Sequence, residues 1–298
     1  MGWYEQFCVA ALKHMHITAT GAPLGAIVTD IDLTHAPSAS TVASLRQAWI
    51  EHGLLIFPDQ PLEHAQLANF SQAFGPFGED RYIAAIAQHP HVIEVRRNAD
   101  EKTTVFASKW HSDWSFLETP PAGTMLHAKV VPPHGGDTLF CDNAAAYEGL
   151  SEQLKTRIAT LKATHSPAGG YSRKGRYGED DAGRSMDIRP SDQALSDVYS
   201  HPIVKPHSES GRPVLYVSPA YTVRIGDLAE TQSQELLSEL YAHQGQQEFV
   251  YRHQWQTNML VLWDNRRVNH MATGGYEGYD RVLHRTTIAD APSAGLSA

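Results

Sequence analysis

Four short apolar segments separated by turns dominate the second half of this chain and constrain its fold most strongly. They are residues 214–217 (VLYV), 249–252 (FVYR), 259–263 (MLVLW) and 282–288 (VLHRTTI). Their length and their β-branched and aromatic content are typical of strands. Many short strands in one chain favour a β-sandwich or a jelly roll. We therefore predict a mainly β protein with a jelly-roll core and helices packed outside it.

The first half carries most of the predicted helices. An amphipathic helix is predicted over 39–52 with Gly53 as its stop, and Leu54–Phe57 follows as a short strand. Further strands are predicted at 91–95 and 124–131. Three more helices follow from apolar residues that share a face: one with Leu67, Phe70 and Phe74 that ends at Gly75, one capped by Asn143 with Leu150, Leu154, Ile158 and Leu161, and one opened by a Thr231–Gln234 capping box with Leu236, Leu237 and Leu240.

Composition excludes several classes of protein. Apolar residues make up 42% of the 298 residues and charged residues 19%, which excludes a disordered chain. The net charge of −9 argues against a general affinity for nucleic acid or anionic membrane. Two cysteines, no signal peptide and no apolar run of membrane-spanning length favour a soluble cytoplasmic protein. We expect one domain over 1–298, with 1–15 as an extra N-terminal segment, and a homo-oligomer.

Residues 165–200 interrupt the strand pattern. This stretch contains GGYSRKGRYGEDDAGR, which is too polar and too rich in glycine to predict a packed element. Long loops inside a compact domain are usually either functional or disordered. The sequence leaves two interpretations open, a surface insertion and an active-site lid.

Histidine is abundant, so candidate metal ligands need more than a short motif. With 17 histidines and 33 acidic residues in 298, about two His-x-Asp/Glu pairs are expected by chance, and two occur. His207 and Glu209 lie in KPHSESGRP, whose turn-forming residues predict a solvated loop. His111 and Asp113 lie in KWHSDWSF, among aromatic residues. Only this second pair is a candidate for metal binding.

A third ligand is available near the C-terminus. If residues 111 and 113 are extended, their side chains project to one face, and His270 in WDNRRVNH would complete two histidines and a carboxylate. Such a set leaves coordination positions open and suits ferrous iron, although catalytic zinc also uses it. A half-buried ion pair between His111 and Asp113 is the alternative that involves no metal.

Two arginines on one strand face indicate an anion site. Along an extended 281–288 segment, Arg281 and Arg285 share a face with Leu283. Guanidinium groups on a largely apolar face are costly unless they bind anions. The alternative is that both form surface ion pairs at the mouth of a barrel.

Several blocks of this sequence resemble those of a known family. WHSDWSF, followed by ETPPAG and GGDT, and then WDNRRVNH and RVLHRTTI, resembles the sequence blocks of the Fe(II)/2-oxoglutarate-dependent dioxygenases of the taurine and 2,4-dichlorophenoxyacetate dioxygenase type. The stretch from GAPLGAIVTDIDLT through GLLIFPDQ to FSQAFG is also similar to that family. The resemblance covers nearly all of the chain after about residue 15, with the blocks in the family's order.

The resemblance implies a fold, cofactors and roles for residues. It implies a double-stranded β-helix in which His111, Asp113 and His270 bind Fe(II), with 2-oxoglutarate and O2 as co-substrates. Arg281, helped by Thr138, would bind the distal carboxylate of 2-oxoglutarate. Arg285 would lie near its C1 carboxylate or near an anionic group of the substrate.

The substrate side departs from the taurine-type pattern. Phe74-Gly75 is followed by PFGEDRYIA, which lacks the family's histidine, so Arg81 and Tyr82 are the nearest polar candidates, and Tyr221 replaces a pocket phenylalanine. We therefore expect hydroxylation of a small anionic substrate such as a sulfonate, a sulfate ester or an aryloxy acid, with release of succinate and CO2. Biosynthetic oxidation of an amino acid or another small carboxylate, including desaturation or ring closure, is the alternative. A zinc hydrolase or a binding barrel without turnover is more remote.

Overall fold

The computed structural model describes residues 15–181 and 183–290. The predicted N-terminal segment 1–15 therefore lies almost entirely outside the described residues. The described part of the chain forms these strands: β1 (His16–Ala19), β2 (Ala26–Thr29), β3 (Leu54–Phe57), β4 (Ala85–Ile86), β5 (His89–Arg97), β6 (Gly123–Val130), β7 (Thr138–Asp142), β8 (Lys162–His165), β9 (Tyr199–Pro202), β10 (Val204–Pro206), β11 (Pro213–Leu215), β12 (Thr222–Ile225), β13 (Val250–His253), β14 (Leu260–Asp264), β15 (Val268–Ala272) and β16 (Arg281–Ile288). Its α-helices are α1 (Ala39–His52), α2 (His64–Gln72), α3 (Asn143–Glu148), α4 (Glu152–Ile158), α5 (Ala168–Tyr171) and α6 (Glu230–Gln244).

The largest sheet has eight strands in the order β1-β2-β3-β14-β6-β16-β5-β4. Its pairs are antiparallel except for β2 with β3. A three-stranded sheet, β13-β7-β15, contributes Phe140 and Val268 to the same buried cluster as Leu126 and Leu283 of the large sheet. Two smaller sheets, β12-β8-β9 and β10-β11, complete the strands. The prediction of a mainly β protein with flanking helices is confirmed.

Both faces of the large sheet are covered, which explains why its central strands are apolar throughout. In β3, Leu54 and Ile56 face the three-stranded sheet, while Leu55 and Phe57 face the cluster that contains helices α1 and α2. Side chains alternate along a strand, so a strand covered on both faces needs apolar residues at every position. β14 repeats this pattern. The site described below lies between the two sheets.

The first helix follows its local signals, whereas the others depart from them. α1 covers the predicted residues, and Gly53 caps it in the left-handed conformation at φ 71°, with its N–H donating to the Trp49 carbonyl at 2.8 Å. α2 ends at Gln72, before the predicted stop at Gly75, although Phe74 still packs in the core. The capping box at Thr231 is wrong, because α6 already begins at Glu230 and Ala229 precedes it without a side-chain cap.

The third predicted helix is split in two. Asp142, not Asn143, caps α3, and Ser151 caps a separate α4. Gly149 ends α3 where the Phe249 ring presses on the backbone, since a Cβ there would lie 2.7 Å from that ring. The close approach of Phe249 explains why a glycine stands at this position, and the cap at Ser151 begins the second helix.

Residues 165–200 are packed more tightly than the sequence predicts. The segment contains α5, a 3₁₀ turn at Asp192–Leu195 and the first residues of β9. Tyr171 and Tyr177 are buried in one cluster with Tyr82 and Trp114. The expectation that no packed element forms here is wrong, because tyrosines spaced among the glycines supply the apolar surface.

No helix within the described ranges has both the length and the hydropathy of a membrane span.

Candidate active site

His111 and His270 are held against each other by the backbone. Each residue's N–H donates to the other's carbonyl, at 3.0 Å from His111 and 2.7 Å from His270. This isolated antiparallel bridge joins the segment before Asp113 to β15. The two imidazole centroids are 4.2 Å apart. The fold thus brings together two histidines that are far apart in the sequence.

Asp113 completes the predicted ligand set. Its Oδ1 lies 3.6 Å from the His111 Nε2 and 3.8 Å from the His270 Nε2. One ligand atom from each of the three residues lies within 4.8 Å of the others, and all three residues are buried. Asp113 reaches this position through a turn rather than along an extended strand, and Trp114 follows it with φ 48°. The prediction that the three residues meet is confirmed, although the extended geometry is not.

Hydrogen bonds orient the donor atoms. The His111 Nδ1 lies 2.8 Å from the Lys109 carbonyl, so that nitrogen carries the proton and the Nε2 lone pair faces Asp113. Thr124 donates to the Asp113 Oδ2 at 2.7 Å and accepts from the Asn265 Nδ2 at 2.9 Å. The sequence did not predict a role for Thr124 or Asn265. The only signal for Asn265 was its position in the W-D-N-R block.

The protonation states suit a divalent cation. Burial and the neighbouring His111 lower the pKa of His270 to about 3, and burial also lowers the pKa of His111. Burial alone would raise the pKa of Asp113, but His270, Arg285 and His111 together bring it below its ordinary value. Two neutral imidazoles and an ionised carboxylate are the donor set that metals of the Fe(II) type accept. The residues therefore fit the metal that the sequence predicts.

Two cavities meet at His111. The first cavity, about 650 Å³ including its open mouth, is lined by His111, His270, Thr138, Arg281, Arg285 and Tyr276, among others. The second cavity, about 490 Å³, is lined by His111, Lys109, Tyr171, Arg176, Tyr177 and Tyr221, with Gly169 and Gly170. The candidate metal site thus has space on two sides.

Arg281 is the uncompensated cation of the first cavity. It is buried, its Nε donates to the Gly136 carbonyl at 3.1 Å, and no described carboxylate lies within 4.0 Å of its guanidinium. Burial lowers its pKa. The other arginines that line this cavity each have a carboxylate partner: Arg96 with Glu94, Arg97 with Glu101, Arg184 with Asp181, and Arg285 with Asp80.

Thr138 lies beside Arg281 in the first cavity. The Trp255 Nε1 donates to the Thr138 Oγ1 at 3.0 Å, so the hydroxyl proton stays free to donate elsewhere. Gly136 has φ 67°, and a Cβ there would lie 3.0 Å from the Arg281 Nε. A side chain at this position would therefore push the guanidinium aside. The structure brings Thr138, Arg281 and Arg285 to one cavity with the ligand set.

Of the residues predicted on the substrate side, Tyr221 lines one of the two cavities, whereas Arg81 and Tyr82 do not. Tyr221 lines the second cavity, with its ring centroid 5.9 Å from that of His111. Arg81 and Tyr82 line neither cavity. Both bind Asp197, the first with an ion pair of 3.1 Å and the second through its hydroxyl at 2.5 Å.

The interpretation of His207 and Glu209 as a solvated loop holds for Glu209, which is exposed in a turn, and is wrong for His207. His207 is buried, and its Nε2 lies 2.9 Å from the Asp264 Oδ2. Glu209 pairs with Arg46 at 2.8 Å and also with Arg266. Both residues bind charged side chains of the W-D-N-R block. The positions of those side chains could not be predicted from the local sequence.

The comparisons with known proteins agree with this geometry. Residues 16–287 match the family model described as "Taurine catabolism dioxygenase TauD, TfdA family". This chain belongs to that family. Among the members of the TauD/TfdA family, it is 35% identical over 280 residues to the alpha-ketoglutarate-dependent 2,4-dichlorophenoxyacetate dioxygenase of Cupriavidus pinatubonensis, covering 88% of this chain and 93% of the relative.

A second relative and a solved structure extend the likeness. The (S)-phenoxypropionate/alpha-ketoglutarate-dioxygenase of Sphingobium herbicidovorans is 32% identical over 282 residues, 93% of this chain and 96% of that protein. The crystal structure of AAD-2 in complex with Mn(II) and N-oxalylglycine superposes with a TM-score of 0.75 at 25% identity, over 94% of this chain and 98% of the other. The likeness to this solved structure thus extends over nearly the whole length of both chains.

Proposed function

We propose that this TauD/TfdA family member is an Fe(II)- and 2-oxoglutarate-dependent dioxygenase that hydroxylates a small aryloxy acid or a related organic anion. The observation that carries the proposal is the buried set of His111, Asp113 and His270 beside a cavity in which Arg281 is the lining arginine without a carboxylate partner among the described residues. Bound there, Fe(II) would supply the family's chemistry, in which O2 and 2-oxoglutarate are converted to succinate and CO2 while a C–H bond is oxidised.

The chain's own residues would bind 2-oxoglutarate through its two ends. Its C1 carboxylate and keto oxygen would lie toward the ligand set, and its distal carboxylate would meet Arg281. Within residues 15–181 and 183–290, the Arg281 side chain donates to the Gly136 carbonyl through its Nε, so its two Nη groups could make a bidentate contact, which is among the stronger hydrogen-bond pairings in proteins. The Thr138 hydroxyl would donate a further bond. The Mn(II) and N-oxalylglycine named in the AAD-2 complex support a metal and a small dicarboxylate analogue in this fold.

The fold around this site would be the double-stranded β-helix. The eight-stranded sheet and the β13-β7-β15 sheet face each other across the buried cluster that includes Phe140, Val268 and Leu283. Solved structures of similar length support this assignment. A homo-oligomeric state, a cytoplasmic location and the role of residues 165–200 as a lid stay predictions from the sequence.

The substrate class rests on the relatives and on the aromatic lining of the second cavity. Both relatives described above have names that specify phenoxy or phenoxyacetate substrates, and both are similar over nearly the whole chain. Tyrosines line the second cavity, as an aromatic substrate would require.

Succinate release tests the proposed function. Purified protein is incubated with Fe(II), 2-oxoglutarate, O2 and a panel of aryloxy acids, alkyl sulfates and sulfonates. We expect succinate that depends on all components, and hydroxylated product from at least one aryloxy acid. Asp113→Ala should abolish it, whereas His35→Ala, a matched change at an exposed histidine, should not. Zinc-dependent hydrolysis without 2-oxoglutarate consumption would contradict the proposal.

A further inference from the structure

A tyrosine of the segment 165–200 contacts the backbone that leads to His111. The Tyr177 hydroxyl accepts a hydrogen bond from the Ala107 N–H at 3.1 Å, and the Tyr177 ring packs on the Phe106 ring at a centroid distance of 5.2 Å. Tyr177 is 9% exposed, so water does not readily replace this hydrogen bond. The contact joins two stretches that lie 70 positions apart, and one of them enters the candidate metal site.

Ala107 has a strained backbone conformation. Its φ is 57°, in the left-handed region that residues with a Cβ rarely adopt. Both of its peptide groups are fixed, because the Ala107 N–H donates to the Tyr177 hydroxyl and the Ala107 carbonyl accepts from the Ala272 N–H at 3.0 Å. Since peptide groups are planar, holding the two groups on either side of a residue fixes its φ and ψ. Such strain persists only where surrounding contacts hold it in place.

Ala107 lies where the two cavities meet. It lines both of them, as His111 does. Ala272, which holds the Ala107 carbonyl, lies two residues after His270 on β15. The His111 Nδ1 is 2.8 Å from the carbonyl of Lys109, two residues after Ala107. A change in the backbone at Ala107 would therefore reach the common wall of the cavities and the carbonyl that orients a candidate metal ligand.

Ring contacts hold Tyr177 independently of its hydroxyl. The Arg184 guanidinium lies over the Tyr177 ring at 5.0 Å, and its Nη2 donates to the Thr104 carbonyl at 2.9 Å. Together with the contact to Phe106, this packing involves only the ring of the tyrosine. A phenylalanine at position 177 would keep both ring contacts and lose the hydrogen bond to Ala107.

We infer that Tyr177 is a positioning residue for the candidate metal site, because its hydroxyl holds Ala107 in the left-handed conformation and thereby fixes the approach to His111. Metal binding at the ligand set and ordering of the segment 165–200 are then coupled, and each strengthens the other by the same factor. The inference rests on the metal site of the proposed function and is independent of the substrate.

Fe(II) affinity tests the inference without turnover. The full-length protein is titrated with Fe(II) in the presence of 2-oxoglutarate and without oxygen. We expect Tyr177→Phe to raise the dissociation constant about three- to tenfold, which is the range that one neutral hydrogen bond corresponds to. Tyr199→Phe is the matched control, because Tyr199 lies in the same segment, is exposed and lines neither cavity. It should bind Fe(II) as the wild type does.

A second substitution separates positioning from packing. Glycine adopts the left-handed conformation without strain, so Ala107→Gly removes the need for a contact that enforces it. In the Ala107→Gly background, Tyr177→Phe should therefore change the Fe(II) affinity by less than about twofold. A tyrosine that served only to pack the segment would weaken Fe(II) binding equally in both backgrounds.

Trypsin measures the same coupling in the opposite direction. Arg173 and Lys174 are exposed, so cleavage after them reports on the segment 165–200. Fe(II) with 2-oxoglutarate should slow this cleavage in the wild type, and it should do so about three- to tenfold more than in Tyr177→Phe. Equal protection of the two proteins would contradict the coupling.

Three results of the titrations would each overturn the inference: unchanged Fe(II) affinity in Tyr177→Phe, an equal loss in the Ala107→Gly background, or no Fe(II) binding by the wild type. Failure of the proposed function would look different. A protein that shows this coupling but forms no succinate with any compound of the panel would contradict the dioxygenase assignment and leave the role of Tyr177 standing. Succinate formation together with unchanged Fe(II) affinity in Tyr177→Phe would keep the dioxygenase and exclude the positioning role.

Discussion

Replacing Arg281 with lysine should raise the KM for 2-oxoglutarate strongly. The guanidinium has its Nε fixed to the Gly136 carbonyl, which leaves both Nη groups to contact a carboxylate as a pair. Lysine keeps the charge but offers a single ammonium group, so one charged contact is lost. Loss of such a contact costs about 1.5–3 kcal/mol, which corresponds to about 10- to 150-fold in KM.

Replacing Arg281 with an apolar residue should not destabilise the ligand-free protein. Arg281 is buried, and no carboxylate in the described part of the chain lies within 4.0 Å of it. Burial lowers its pKa, so the protein without 2-oxoglutarate bears the cost of desolvating this charge. Arg281→Met should therefore leave the Tm of the ligand-free protein unchanged or raise it, while removing the stabilisation that added 2-oxoglutarate gives the wild type. A purely structural arginine would lower the Tm when replaced.

Steady-state kinetics with each ligand varied in turn provide the assay, and thermal unfolding with and without 2-oxoglutarate provides the second readout. Arg285→Lys is the matched control four residues along the same strand, because Asp80 already binds that guanidinium. It should leave the 2-oxoglutarate KM within about threefold. A 2-oxoglutarate KM raised by Arg285→Lys and unchanged by Arg281→Lys would refute the assignment.

Three further predictions concern the surroundings of the site. Thr124→Val removes the hydrogen bond to Asp113 and should weaken Fe(II) affinity about 10- to 100-fold without unfolding the protein, which metal titration would show; unchanged affinity would contradict the orienting role. Burial lowers the pKa of His165 to about 3 and of His127 to about 4, so the unfolded chain binds more protons below its ordinary histidine pKa. The free energy of unfolding in urea should thus fall between pH 6.5 and about 4 by up to about 1.4 kcal/mol per pH unit for each histidine, and equal values at pH 7.5 and 5 would contradict this. Residues 165–200 should be cut by trypsin more slowly once metal, 2-oxoglutarate and an aryloxy acid are present, and cleavage indifferent to ligands would exclude a lid.

Local signals predicted the elements that depend on local interactions. The helix over 39–52 has its cap and its stop within the pattern itself, because Ser38 accepts from the Thr41 N–H and Gly53 ends the helix. The continuous apolar runs of β3 and β14 are also readable, since a strand covered on both faces needs no polar alternation. The break between α3 and α4 was not predicted, because the shared apolar face of Leu150, Leu154 and Ile158 was given more weight than Gly149 and the capping residue Ser151.

The same distinction holds for the candidate site. The residue types of the ligand set and of the two arginines were recognised from short motifs and from the family resemblance. Their relation was not visible, because His111 meets His270 only through a backbone bridge between distant segments. Arg285 pairs with Asp80, 205 positions away, whereas Arg281 has no carboxylate partner among the described residues, and no local pattern contains this difference. Which charged side chains pair with each other depends on the tertiary fold and could not be predicted from short motifs.

Metal binding by the three predicted ligands is the central claim, and anaerobic Fe(II) titration tests it most directly. Wild-type protein should bind one Fe(II) per chain at the set formed by His111, Asp113 and His270, and should then form succinate from 2-oxoglutarate when O2 is admitted. Asp113→Ala and His270→Ala should lose both the bound iron and the succinate while keeping the wild-type circular dichroism spectrum. Full iron binding and succinate formation in a folded Asp113→Ala variant would contradict the account.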